Sequence, residues 1–229
     1  MNELPVYERF HSWQGEGDHM GKSAFFIRLY GCPVHCPWCD SAGTWHSEYR
    51  PESIQRISSP DLADEAFLAC PEIVVITGGE PAIHDLCGLS YQLRSRNLPV
   101  HLETCGAYPI SGEMDWVTIS PKWSAPPIPE TLELADEYKI IVESEGCISK
   151  WNNSLSLKSM HKSVWIHPEW SKSTNRKVLQ AINDWVKENG SPFRAGFQLH
   201  KLYQVDQEDE RTMPDASLSH LPTEDKVDS

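Results

Sequence analysis

AFFIRLYGCPVHCPWCD, residues 24–40, joins an apolar run to a loop that contains three cysteines. The run AFFIRLYG (24–31) is typical of a buried strand, because apolar side chains occupy most of its positions. Cys32, Cys36 and Cys39 follow at once with the spacing C-x3-C-x2-C. The cysteines therefore begin where a strand ends, and parallel α/β folds place their functional groups at such strand ends.

Short apolar runs and helical patterns alternate along the rest of the chain, which is typical of parallel βα units. Further strands are predicted at 72–81, 98–106, 115–122, 136–143, 164–170 and 195–203, and helices at 60–70, 82–97 and 174–189. Six or seven strands are too few for a closed eight-fold barrel, and some of the connecting helices are short or missing. We expect an α/β fold with a partial, open parallel (β/α) barrel of reduced helical content.

The composition limits the classes of function. The chain has 229 residues, 39% of them apolar, and a net charge of −13. We expect one domain over residues 1–205 and an acidic, disordered tail over 206–229, which has eight acidic and two basic residues from Asp206 onward. The acidic balance weighs against nucleic acid as a partner. No run approaches the roughly 18 apolar residues of a membrane span, and the N-terminus does not resemble a signal peptide, so we expect a cytoplasmic location without membrane contact.

The three clustered cysteines have several chemical interpretations. Because cytoplasmic thiols stay reduced, the cluster indicates metal or redox chemistry rather than a disulfide framework. A zinc site, as in a non-catalytic interaction module, needs a fourth ligand, for which His35 or His46 is available. Two of the cysteines could instead form a redox switch. A third possibility is an iron–sulfur cluster that three thiolates hold and that leaves one iron open.

The cysteine spacing, with Trp38 directly before the third cysteine, resembles that of radical S-adenosylmethionine (SAM) enzymes. TGGEP (77–81) lies one βα unit later and resembles the element that contacts the SAM amino group in those enzymes. The resemblance implies a [4Fe–4S] cluster held by Cys32, Cys36 and Cys39, with SAM on the open iron. It also implies that SAM delivers the radical, so that no side chain is assigned as catalytic.

A longer set of motifs resembles the 7-carboxy-7-deazaguanine synthase family over residues 5–203. The motifs are FHSWQGEG (10–17), FIRLYGC (26–32), ETCG (103–106), SPK (120–122), DEYKIIV (136–142) and QLHK (198–201). The resemblance implies conversion of 6-carboxy-5,6,7,8-tetrahydropterin to 7-carboxy-7-deazaguanine, with loss of ammonia, in queuosine biosynthesis. It further implies a Mg²⁺ ion, a homodimer, and flavodoxin or ferredoxin as electron donor. A glycyl-radical-enzyme activase is the alternative; it shares the cysteine loop and GGEP but has no need for QGEG.

The family resemblance also assigns binding residues. SAM is expected to contact Gly78, Gly79, Glu80, Ser120, Pro121 and Lys122. The pterin is expected to contact Trp13, Gln14, Gly15, Glu16, Arg28, Thr77 and His200. Arg28 suits the substrate carboxylate, because a guanidinium group binds a carboxylate through two parallel hydrogen bonds.

Two positions depart from the family pattern. Ser41 stands where the family has a threonine that is expected to bind Mg²⁺, and it keeps the hydroxyl oxygen that this hard cation prefers. Cys105 stands where the family has asparagine or serine. We expect Ser41 to bind Mg²⁺, and we do not expect Cys105 to be a fourth cluster ligand.

Overall fold

The apolar run that precedes the cysteines is an inner strand of a nine-stranded sheet in the computed structural model, which describes residues 3–203. The strands are β1 (Glu3–Trp13), β2 (Ser23–Leu29), β3 (Gln55–Ser58), β4 (Ile73–Gly78), β5 (Val100–Thr104), β6 (Trp116–Ile119), β7 (Glu137–Val142), β8 (Ser163–Pro168) and β9 (Phe193–Ala195). The helices are α1 (Ser59–Leu68), α2 (Cys87–Arg94), α3 (Pro129–Leu134), α4 (Cys147–Leu155), α5 (Arg176–Asn189) and α6 (Leu199–Leu202).

The strand order is β3-β1-β2-β4-β5-β6-β7-β8-β9. Every pairing from β2 to β9 is parallel, whereas β1 is antiparallel to both β2 and β3. The edge strands β3 and β9 do not pair with each other, so the sheet stays open over the described residues. The predicted partial, open parallel barrel with few helices is confirmed.

The two faces of the sheet differ because side chains alternate along each strand. On β2, Phe25, Ile27 and Leu29 pack with the apolar side chains of α1 and α2 in the first hydrophobic cluster. A second cluster joins β6, β7 and β8 to α4 and α5. The opposite face carries Arg28 on β2, and it forms the inner surface of the half-barrel.

The prediction for the last strand is wrong over most of its length. Strand β9 ends at Ala195, and the predicted strand 195–203 contains instead the short helix α6. Its Leu199 amide donates to the Gly15 carbonyl at 3.1 Å, so this segment packs against the N-terminal loop rather than continuing the sheet. Strands β1 and β3 were not predicted, and they extend the sheet on its antiparallel side.

The other predicted elements are present, some of them shortened. The predicted helix 82–97 is a 3-10 turn over Pro81–Ile83 followed by α2. In the part of the chain that the structure describes, no helix is both long enough and apolar enough to cross a membrane. The predicted acidic tail, 206–229, lies outside the described residues.

Candidate functional site

A cavity of about 580 Å³ opens where the parallel strands end. The predicted site residues that line it are Trp13, Gln14, Gly15, Glu16, Arg28, Cys32, Cys36, Cys39, Ser41, Thr77, Gly78, Gly79, Glu80, Ser120, Lys122 and His200. Pro121 is buried and does not line the cavity. Residues from β1 to α6 thus meet in one place, as the rule that active sites lie at carboxyl strand ends predicts.

The three loop cysteines line one side of this cavity, and none of them forms a disulfide. Burial raises the pKa of all three, to about 11 for Cys36 and about 12 for Cys39. Among residues 3–203, no three His, Cys, Asp or Glu side chains converge on a single-ion site. A [4Fe–4S] cluster binds one thiolate per iron, so its thiolates need not converge on one point. Three soft donors on one cavity wall therefore fit the cluster.

The glycine pair of TGGEP packs against the start of the cysteine loop. Gly78 has a φ of 137°, which L side chains rarely adopt, and a Cβ there would collide with the backbone of Leu29. A Cβ on Gly79 would collide with the carbonyl of Gly31. The Gly79 amide donates to the Leu29 carbonyl at 3.0 Å. The glycines thus allow β4 and the cysteine loop to approach each other.

The Glu80 side chain, only 2% exposed, is fully engaged by the protein. Its Oε1 accepts from the Ala82 amide at 3.0 Å and from the Thr104 hydroxyl, and its Oε2 accepts from the Cys105 amide at 2.8 Å. Glu80 therefore ties the end of β4 to the end of β5, and its carboxylate acts on the cavity by positioning these two loops.

Lys122 is held inside the cavity rather than extended into solvent. Its ammonium donates to the Ser120 hydroxyl at 2.7 Å and to the Ser120 carbonyl, and lies 5.3 Å from the centre of the Trp38 ring. Burial lowers the pKa of Lys122. The SPK motif thus brings a positive charge next to the aromatic residue of the cysteine loop.

Arg28 and Ser41, predicted to bind the substrate carboxylate and Mg²⁺, contact each other. The Arg28 Nη1 donates to the Ser41 hydroxyl at 2.8 Å, and its Nε pairs with the buried Glu8 of β1. Asp40 lies next to this pair, with Oδ1 3.4 Å from the Ser41 hydroxyl. Glu8, which was not predicted and does not line the cavity, therefore holds the Arg28 guanidinium in place.

The QGEG segment is held by a carboxylate from β5. Glu103 accepts from the Gln14 amide group at 3.0 Å through Oε1 and from the Thr77 hydroxyl at 3.2 Å through Oε2. The Gln14 Oε1 in turn accepts from the Glu16 amide at 3.2 Å. Two predicted pterin residues from distant parts of the sequence, Gln14 and Thr77, are thus joined through the Glu103 side chain.

Glu16 forms an ion pair with Lys139, which projects from β7. The same ammonium lies 3.9 Å from Oε2 of Glu103. Burial would raise the pKa of Glu16, but Lys139, His167 and His200 together lower it to about 2. Burial would lower the pKa of Lys139, but Glu103 and Glu16 raise it well above its usual value. Glu16 and Lys139 therefore both stay ionised at physiological pH.

The loop around QGEG is also held by Glu137 of β7 and by His200 of α6. Glu137 accepts from the Thr118 hydroxyl at 2.8 Å and from the Asp18 amide at 2.8 Å. The His200 imidazole lies against the Cα of Gly15, where a Cβ would collide with it. The predicted pterin residues His200 and Gly15 are therefore in direct contact.

The residue predictions missed Glu8, Glu103, Glu137 and Lys139. A signal for three of them exists in the sequence, because Glu103 lies in the ETCG motif and Glu137 and Lys139 lie in the DEYKIIV motif. Charged residues are almost never buried unless they are paired. Their partners, however, cannot be found from the sequence: Lys139 and Glu16 are 123 positions apart.

Known proteins are similar to this chain over most of its length. The chain is 41% identical to the 7-carboxy-7-deazaguanine synthase of Synechocystis sp. over 88% of this chain and 93% of that protein. It is 34% identical to that of Flavobacterium psychrophilum, with 88% and 92% covered.

The chain belongs to the 7-carboxy-7-deazaguanine synthase family. A solved structure described as QueE from Escherichia coli is 29% identical and superposes with a TM-score of 0.73, covering 86% of this chain and 95% of that one. A scan against protein-family models finds no match.

Members of the 7-carboxy-7-deazaguanine synthase family are radical SAM lyases of queuosine biosynthesis, and this chain is an enzyme of that kind. The family membership confirms the predicted ring-contraction function and implies an iron–sulfur cluster with SAM. Nothing in the comparisons supports the glycyl-radical-enzyme activase or the zinc-binding module.

Proposed function

We propose that the cavity converts 6-carboxy-5,6,7,8-tetrahydropterin to 7-carboxy-7-deazaguanine and ammonia, with SAM and the pterin bound on different sides. The observation that carries the proposal is the convergence of the cysteine loop, TGGEP, SPK and QGEG on one cavity of about 580 Å³. The cavity has two sides. The cysteine half comprises Cys32, Cys36, Cys39, Gly78, Gly79, Glu80, Ser120 and Lys122. The carboxylate half comprises Gln14, Gly15, Glu16, Thr77, Glu103, Lys139 and His200.

In the cysteine half, Cys32, Cys36 and Cys39 would hold the [4Fe–4S] cluster. Bound SAM would supply the radical that starts the ring contraction. The backbone at Gly78 and Gly79 and the hydroxyl of Ser120 offer polar groups to SAM, while Glu80 keeps this backbone in place. Lys122 places an ammonium where a carboxylate of the ligand can bind. Pro121, buried beside them, supports the backbone of this motif.

In the carboxylate half, the pterin would meet acceptors and donors along one edge. Glu16 and the Gln14 segment face a ring system whose amino and amide groups are hydrogen-bond donors. Arg28 and His200 would bind the substrate carboxylate, since both line the cavity and Arg28 retains further N–H donors besides those used by Glu8 and Ser41. The ring of Trp13 packs edge-on against that of Tyr203, with ring centres 5.4 Å apart, and this contact helps to hold the QGEG loop in place.

Mg²⁺ would bind at the hydroxyl of Ser41, close to the carboxylate of Asp40. Mg²⁺ keeps several waters and takes only one or two protein oxygens in such sites, so a dedicated cage is not required. The Arg28 hydrogen bond uses one of the two lone pairs of the Ser41 oxygen, which leaves the other for the metal.

We further propose that the chain acts as a cytoplasmic homodimer and receives its electron from a flavodoxin or ferredoxin, without nucleic acid or membrane contact. We also propose that residues 1–205 form one domain and 206–229 an appended acidic segment. The support for dimerisation is the family membership together with exposed apolar side chains on the neighbouring helices α1 and α2, namely Phe67, Leu68 and Tyr91. Sedimentation of the anaerobic protein would test the dimer.

The activity is tested on anaerobically reconstituted protein with SAM, a reductant and 6-carboxy-5,6,7,8-tetrahydropterin. We expect a brown protein that releases ammonia and a deazaguanine chromophore. Cys36→Ala should lose iron and product, whereas Cys87→Ala, at an exposed cysteine outside the cavity, should keep both. SAM cleavage without a deazaguanine product would overturn the pterin assignment. Full iron loading in the Cys36 variant would overturn the cluster assignment.

A further inference from the structure

Lys139 is the cation of the carboxylate half, and its ammonium lies close to two carboxylates. Its side chain, 15% exposed, comes from the middle of β7 and pairs with Oε2 of Glu16. Its ammonium is also 3.9 Å from Oε2 of Glu103. One positive charge thus lies between two carboxylates that reach the cavity from β5 and from the loop after β1.

The two carboxylates differ in what remains open on them. Both oxygens of Glu103 accept hydrogen bonds, from Gln14 and from Thr77. Within residues 3–203, Oε1 of Glu16 has no hydrogen-bond partner, although the atom is buried. A buried acceptor without a partner costs about 1–3 kcal/mol. Glu16 therefore presents an acceptor that a bound ligand can satisfy.

We propose that Lys139 is a positioning residue that holds Glu16 by Oε2 so that Oε1 accepts from the donor edge of the pterin ring. The inference rests on the proposed pterin site. The amino group and adjacent ring N–H of a pterin form a pair of donors, which an ionised carboxylate can bind but a protonated one binds poorly. The ammonium does both things that the acceptor needs: it fixes one oxygen and keeps the group ionised beside a second carboxylate.

The groups that surround Glu16 determine how it responds when Lys139 is removed. Besides Lys139, the imidazoles of His167 on β8 and His200 on α6 act on it, and the carboxylates of Glu103 and Asp40 act on Lys139. Without the ammonium, burial and the charge of Glu103 both favour the protonated form of Glu16. Loss of Lys139 should therefore make pterin binding sensitive to acid in a range where the wild type is insensitive.

The experiment compares steady-state kinetics of reconstituted wild type, Lys139→Met, Lys139→Arg, Glu16→Gln and the double variant Glu16→Gln/Lys139→Met. We expect Lys139→Met to raise the KM for the pterin by about 10- to 100-fold, the range of a lost buried polar contact, with the KM for SAM nearly unchanged. That variant should lose further pterin affinity as the pH falls from 8 to 6. Lys139→Arg, which keeps the charge, should recover most of the affinity.

The double variant and one control make the outcome decisive. The double variant removes both charges of the Glu16–Lys139 pair, so it should lose no more pterin affinity than Glu16→Gln alone. Lys162→Met, at a half-exposed lysine outside the cavity, is the matched control and should behave as wild type.

An unchanged pterin KM in Lys139→Met would overturn the inference, as would equal losses for SAM and pterin, a pH profile parallel to wild type, or additive effects in the double variant. If the loaded wild type itself makes no deazaguanine, the proposed function fails instead, so the two failures are distinguishable.

Discussion

The cysteine half and the carboxylate half of the cavity are held together in different ways. In the cysteine half, backbone meets backbone: the Gly79 amide donates to Leu29 and the Glu80 amide to Gly31 at 2.8 Å. In the carboxylate half, side chains from separate strands meet, with Lys139 and Glu103 at the centre. The first half depends on close steric fit and the second on charge. Changes in the first should therefore affect folding and cluster loading, and changes in the second should affect ligand affinity and pH response.

Gly79→Ala is the strongest test of the close packing in the cysteine half. The added Cβ would collide with the backbone carbonyl of Gly31, which cannot rotate away as a side chain can. We expect a loss of about 3 kcal/mol in the free energy of unfolding and a several-fold loss of iron after reconstitution. Gly146→Ala is the control, because a Cβ there meets nothing within 4 Å. Normal iron content in Gly79→Ala would contradict the description of this half.

Glu80→Gln tests the side chain that joins the ends of β4 and β5 in the cysteine half. The glutamine amide has one acceptor atom where the carboxylate has two, so either the Cys105 amide or the Ala82 amide loses its partner. Urea denaturation should show a loss of about 2 kcal/mol. Glu113→Gln, at a side chain 81% exposed, should leave stability unchanged. Equal stability of the two variants would mean that Glu80 does not join β4 to β5 energetically.

The fold should lose stability in acid because it buries two histidines: His167, which acts on Glu16 of the carboxylate half, and His101, which does not line the cavity. Burial lowers the pKa of His101 to about 3 and that of His167 to about 4. The folded state keeps these rings neutral while the unfolded state binds protons below about pH 6.5, so stability falls as the pH drops from that value.

We expect a loss of about 1–2 kcal/mol per histidine between pH 7 and pH 5, measured by urea denaturation at each pH. His101→Gln should reduce the loss, whereas His161→Gln, at an exposed position, should not. A stability that does not change over this range would contradict the assignment of neutral buried rings.

Ser41 lies where the two halves meet, and its substitution should have a smaller effect that concerns Mg²⁺. Ser41→Ala would remove the hydroxyl that is proposed to bind Mg²⁺, and we expect the Mg²⁺ concentration for half-maximal stimulation of turnover to rise about tenfold. Ser41→Thr should keep the response, since the hydroxyl remains. The Mg²⁺ assignment fails if stimulation in the alanine variant equals that of wild type.

Cys105→Ala should have the smallest effect. The thiol is buried and lines the cavity, and the substitution keeps the backbone amide that donates to Glu80. We expect about 1 kcal/mol loss of stability and an unchanged iron content per chain. Loss of iron in this variant would identify Cys105 as a cluster ligand and would contradict the three-cysteine description.

Much of the cysteine half could be predicted from the sequence, because its parts are short motifs. Three cysteines within eight residues, the glycine pair and SPK each lie on one loop at the end of one strand. Spacing along the chain then corresponds to spacing in the site. The repeated strands also indicate the parallel half-barrel, and the structure confirms it.

The carboxylate half could be predicted only in part, because its contacts join residues that are far apart in sequence. QGEG and His200 were predicted, yet Glu103 and Lys139 were not. The last strand was predicted wrongly for a related reason, since the segment around Leu199 is held by a hydrogen bond to Gly15.

The sequence by itself thus determined the family, most of the parallel strands and the thiolate loop. The tertiary structure decided which charges face each other. A carboxylate and an ammonium find partners across space, where burial and distance set their energy, and neither quantity can be read from their positions along the chain.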